Sequence, residues 1–265
     1  MAYHETGTWP RWKLYLFVVA ALITVMALFF GLGLALWAMI LPTRGASTPV
    51  TPMPASGEVR GDAWRDELAA QPMLQVPAAA ASTPGVSAEL APVLLVPAAD
   101  AVGPAGVPTG FPHTPEGAVA QLAAIEVTVL EAMSIPTAHD VHAAWSLPGG
   151  VSPAEWAMTR NVQSFLTTLG DQGNAKDDSV LVTATPAAGQ VKGTDGPDWV
   201  LACVLLDVRA AVAATARIGY GHCERMAWHD GRWQIAPGTP PAKAPSTWPG
   251  SDLALQAGWR TWQTS

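Results

Sequence analysis

The chain has 265 residues and a formal net charge of −7, with 14 Lys and Arg against 21 Asp and Glu. That acidic balance, without a basic patch, argues against direct nucleic-acid binding. The sequence carries no Walker loop, dinucleotide fingerprint, nucleophile elbow or Cys-x-x-Cys, so the common nucleotide, hydrolase and redox classes find no support.

Residues 14–41 form an apolar run without a charged residue. At about 1.5 Å of rise per residue, this is longer than a hydrocarbon core of roughly 30 Å requires. It is also longer than the apolar core of a cleaved signal. The run therefore predicts one membrane-spanning helix, with Trp9, Trp12 and Trp37 at the lipid–water interface. Arg11 and Lys13 precede it and Arg44 follows. The positive-inside rule then makes residues 1–13 a cytoplasmic tail and places everything after the span outside, in a single-pass cell-membrane protein in contact with lipid.

Residues 42–109, dominated by Pro, Ala, Ser, Thr and Val, read as a flexible linker. One island within it, residues 62–70, predicts a short helix showing Trp64 and Leu68 on one side. Order is expected to resume at residue 110. Thr114 is a good N-cap before Pro115, and Ala118, Leu122, Ile125, Val129 and Met133 recur at helical spacing up to Ile135-Pro136. A shorter helix is predicted from Ala138 to Trp145. Ser152-Pro153-Ala154-Glu155 is a capping box before a third helix, whose face is Met158, Val162, Phe165, Leu166 and Leu169 and whose stop is Gly170.

The period then changes to two. Strands are predicted over 179–185, 199–209, 216–228 and 232–236, the last pair joined by the hairpin turn Asp230-Gly231. That turn sets Trp233 opposite Trp228 and Ile235 opposite Met226. A hairpin centred near Ala213 sets Cys203 opposite Cys223 on the outer face, with Leu206 meeting Tyr220 and Val208 meeting Ile218 inside. A Cys203–Cys223 disulfide is the expectation for an exported domain. The predicted fold class is α+β, with helices packed on one face of a curved four-stranded antiparallel sheet over 110–238 and a C-terminal tail over 239–265.

The inner face of the third strand and its turn presents Tyr220, His222, Glu224 and Trp228 as a candidate pocket. Asp207 lies on the opposite face from His222, so the two do not converge with Glu224 on one reaction. His222 and Cys223 point to opposite faces and do not ligate one metal ion together. His139 and His142 share a helical face beside Asp140, a spacing more typical of solvated surface than of a ligand pair. No catalytic residue, metal or cofactor is predicted.

The span, the Pro-rich linker, Gly110-Phe-Pro-His-Thr-Pro-Glu-Gly-Ala-Val-Ala and the sheet ending Gly219-Tyr220 … Trp228-His-Asp-Gly-Arg-Trp-Gln-Ile carry a resemblance. The arrangement resembles the nuclear-transport-factor-two-like cone. More narrowly, it resembles the single-pass scaffold proteins of conjugative type IV secretion systems in high-GC Gram-positive bacteria. The resemblance implies a non-enzymatic assembly component, often oligomeric, that contacts other secretion-channel membrane subunits. The residues 248–262 match nothing in that family. The alternative expectation is a membrane-anchored, extracytoplasmic small-ligand binding or sensing module.

Overall fold

The computed structural model describes residues 59–170, 173–211 and 215–265. The apolar run 14–41 and the tail 1–13 lie outside the described residues. Among the described residues no helix is long and apolar enough to cross a membrane.

The elements run α1 (Asp62–Ala70), β1 (Val93–Val96), β2 (Ala101–Val102), β3 (Pro108–Thr109), α2 (Pro115–Ala132), α3 (Ile135–Trp145) and α4 (Ala157–Leu169). They continue with β4 (Leu181–Thr194), β5 (Trp199–Ala211), β6 (Thr215–His229), β7 (Arg232–Ile235), α5 (Asp252–Gln256) and β8 (Arg260–Thr264). The main sheet has six strands in the order β1-β8-β4-β5-β6-β7, curled into a half-barrel, and β2 and β3 form a small second sheet.

This corrects the expected four-stranded antiparallel meander. The antiparallel run β4 to β7 is present, but β8 adds to β4 at Ala188 and Gly189, and β1 then pairs with β8 in parallel. The sheet is mixed because its first and last strands come from opposite ends of the unit and meet side by side. Register shifts at Pro186/Ala188 and Val191/Gly193 put bulges into β4. Bulges bend a long strand and increase its twist.

The reading of residues 42–109 as flexible linker is corrected over its described part, 59–109, and so is that of 239–265 as a tail. Parts of these segments join the sheet as β1 and β8, and other parts cover its outer face. Leu68 and Ala69 of α1 bury against Trp199 and Leu201, while Ala244, Ala254, Ala257 and Trp259 pack on Ala188, Cys203, Leu205 and Cys223. Polar links hold the cover down. Asp195 accepts from the backbone N–H of Arg60 (2.5 Å) and Gly61 (3.1 Å) and from Arg65 Nε (2.6 Å). Burial pushes the Asp195 carboxyl up, and these donors outweigh it and hold it below the usual carboxylate range. Gly219 and Gly221 allow the close approach: a Cβ on Gly219 would stand 1.8 Å from Thr247 O, and one on Gly221 2.6 Å from Pro245 O.

The inner face carries the main core, where Leu122, Ile125 and Val129 of α2 meet Val204, Leu206 and Met226 of the sheet. Thr114 caps α2 by accepting from Gly117 N at 3.1 Å. Helix α2 ends at Met133, which adopts the left-handed conformation (φ 40°), three residues before Pro136. Pro136 opens α3 instead of closing α2, behind the N-cap Ser134. Ser152 and Glu155 make their reciprocal bonds, but in a turn ahead of α4, which starts at Ala157 and ends on Gly170 as predicted. The β5–β6 and β6–β7 registers are those read from the sequence, including Cys203 opposite Cys223 and Trp228 opposite Trp233. The two sulfurs are 2.01 Å apart, a disulfide on the outer face.

Candidate functional site

Alternation along β6 turns Tyr220, His222 and Glu224 inward, toward the helices. There they line one cavity of about 460 Å³. Its other walls are the end of α3 at His142, the turn into α4 at Trp156, and the irregular segment after β7. β7 has only four residues and pairs with β6 from Met226 onward, so the cavity opens beside the uncovered part of β6.

Glu224 is the hub. Its Oε1 accepts from Trp156 Nε1 at 2.9 Å and sits 3.1 Å from His222 Nε2. Tyr220 lies nearly parallel to the His222 ring, with centroids 6.0 Å apart. Its hydroxyl accepts from Asn161 Nδ2 at 2.7 Å and lies 3.4 Å from Met158 Sδ. His142 packs 5.2 Å from the Trp156 ring.

Glu126 joins the group from α2. It is fully buried, and neither carboxyl oxygen has a hydrogen-bond partner. Burial raises it to about 8; His222 opposes that rise and Glu224 adds to it. For His222, burial works against the charge, but Glu126 and the hydrogen bond to Glu224 outweigh it and push the imidazole up to about 9. Burial lowers His142, leaving it neutral, and raises the Tyr220 phenol well above its usual value. The site thus gathers a buried carboxyl that burial holds in its neutral form and an imidazole whose neighbours favour its charged form, a set that offers hydrogen-bond donors and acceptors to a ligand.

The structure brings together three of the four candidate pocket residues. Trp228 stands apart, stacked on His113 at 4.4 Å and edge-on to Trp233 at 5.5 Å. Asp207 is on the outer face, bonded by Arg217 at 2.7 and 2.8 Å. No group of three or more His, Cys, Asp or Glu with metal-site geometry occurs among the described residues. Sequence reasoning missed Glu126 and Trp156. The signal for Glu126 was its spacing: it follows Leu122 by four residues and precedes Val129 by three, on the stripe that α2 buries.

Comparison of the chain with family models, curated proteins and solved structures returned no match.

Proposed function

We propose that this protein is a membrane-tethered assembly component of a conjugative DNA-transfer (type IV secretion) apparatus, working through protein–protein contacts and catalysing nothing. The observation that carries the reading is the border strand β1. It is uncharged, lies at the edge of the sheet, and exposes Val93 (42 %) and Leu95 (57 %). Val86 and Leu90, just before it, are exposed at 91 % and 98 %. The strand is four residues long and bounded by Pro92 and Pro97, so its backbone edge is blunted, and what it offers another chain is the apolar surface of Val93 and Leu95. A second copy and the other channel subunits are the partners that fit it.

Localisation follows from the sequence. The run 14–41 tethers the chain to the cell membrane with residues 1–13 in the cytoplasm. The domain then lies outside, where the Cys203–Cys223 disulfide is chemically at home. A second reading, a ligand-holding module, is favoured by the cavity beneath Tyr220, His222 and Glu224.

A transfer assay separates the two. Leu95→Lys with Val93→Lys abolishes conjugative transfer while the domain stays folded, and deletion of residues 14–41 does the same. His222→Ala leaves transfer intact. Full transfer by the double lysine variant, or its loss in correctly inserted and folded His222→Ala, contradicts the assembly reading.

A further inference from the structure

Between β7 and α5 the chain passes over the cavity, and residues 238–244 of that passage line it. They form no strand or helix, and Pro240 and Pro241 have no N–H to donate. Their hydrogen bonds run one way. Thr239 O accepts from Arg225 Nε at 2.8 Å, and Ala242 N donates to Ala69 O of α1 at 2.8 Å. Among the described residues none joins 238–244 to α3, α4 or the turn between them, the walls on the far side of the cavity. Ala236, just upstream, packs on the cluster that holds Leu68 and Ala69 of α1.

Arg225 ties the passage to α1 a second time. Its side chain is only 4 % exposed, and besides Thr239 O it pairs with Asp66 of α1 at 2.7 Å. The guanidinium lies against the backbone of Gly238, where a Cβ would stand 2.5 Å from Nη1 and φ is 126°. Glycine is needed there on both counts. The other end is fixed: Pro245 O accepts from Trp259 Nε1 at 3.1 Å, and Ser246 Oγ accepts from Gly221 N at 3.1 Å. Helix α1 itself has a light hold. Its N-cap Gly61 offers no side-chain cap, two of its nine residues are buried, and Asp195 fastens its start. An end element held in this way opens locally, at less than the free energy of global unfolding.

We propose that residues 238–244 are a flap over the cavity and that α1 is its latch. When α1 leaves the sheet, the flap keeps one hydrogen bond, to an Arg225 that has lost its counter-charge. It then turns between Gly238 and Pro245 and exposes His142 and His222 on the cavity wall. Of the described helices and strands, α1 is nearest in sequence to the apolar run 14–41, so a partner or tether that draws on that side of the chain acts on the latch. The gate rests on the ligand-holding reading for its purpose, but its opening is measured without a ligand.

Two measurements on the full chain in lipid nanodiscs test it. In the wild type, hydrogen exchange shows the Ala242 amide and those of residues 67–70 opening together, with one denaturant dependence. In Asp66→Ala, whose side chain is 56 % exposed, exchange at Ala242 is about tenfold faster, the worth of one charge-assisted contact. Diethyl pyrocarbonate then modifies His142, 7 % exposed in the closed form, faster than in the wild type, while the exposed His229 keeps its rate. An Ala242 amide still protected after residues 67–70 have exchanged overturns the gate, and this needs no variant. So does an unchanged rate at His142 in folded Asp66→Ala. Either result leaves the ligand-holding reading standing, which the transfer phenotype of His222→Ala tests by itself.

Discussion

The two faces of the sheet are covered by different physics. The inner face is packed by three regular helices whose apolar stripes interlock with Val204, Leu206 and Met226. The outer face is covered by α1, a five-residue helix and irregular chain from both ends of the unit. Few large side chains are available there, so glycine lets the backbone approach and Asp195 and Arg225 fasten it. The inner layer rests on shape and tolerates a buried polar hub, whereas the outer layer rests on a few irreplaceable contacts.

That contrast is breakable. The largest effect is expected from Gly219→Val, because Thr247 O occupies the place of the new Cβ. Chemical denaturation is expected to show a loss of about 4 kcal/mol or more. Asp195→Ala comes next. It strands Arg65 and two backbone N–H groups, and a loss of about 3 kcal/mol is expected, with proteolysis opening first in residues 59–70.

The inner face answers to pH. Glu126 stays protonated in the folded state up to about 8, and His222 holds its proton up to about 9. Unfolded, they release protons near 4.5 and 6.5. The folded state thus binds more protons between those limits, so stability falls as pH rises through that window. The slope is about 1.4 kcal/mol per pH unit for each group while its own window lasts. Glu126→Gln is expected to flatten the thermal-stability profile between about pH 5 and pH 9 and to exceed the wild type at the alkaline end. An unchanged slope would falsify the assignment of Glu126. The smallest effect is Thr114→Ala, which removes one cap and costs about 1 kcal/mol by denaturant titration.

The legibility of the molecule divides along the same line. The capped start of α2, the Gly170 stop, the Asp230-Gly231 hairpin and the cysteine register are local signals, and each stands where the sequence puts it. The outer cover is not local. Val-Leu-Leu-Val at 93–96 is too short to show a period, and its partner lies at Thr261–Thr264, far along the chain. Pro- and Ala-rich segments bury too little surface to fold alone, but a preformed sheet face gives Leu68, Ala69 and Trp259 somewhere to go. The pocket was half legible. Alternation on β6 grouped Tyr220, His222 and Glu224, while the helix-borne Glu126 and Trp156 depend on packing angles that spacing does not encode.

The central claim is that this protein works by contacting others at a membrane. A cross-linking pull-down of the full-length chain, from cells carrying its native gene neighbourhood, tests it most directly. Recovery of secretion-channel subunits together with further copies of the chain, lost when Val93 and Leu95 become lysine, is the predicted result. A well-expressed, folded and membrane-inserted protein that cross-links to neither would contradict the account.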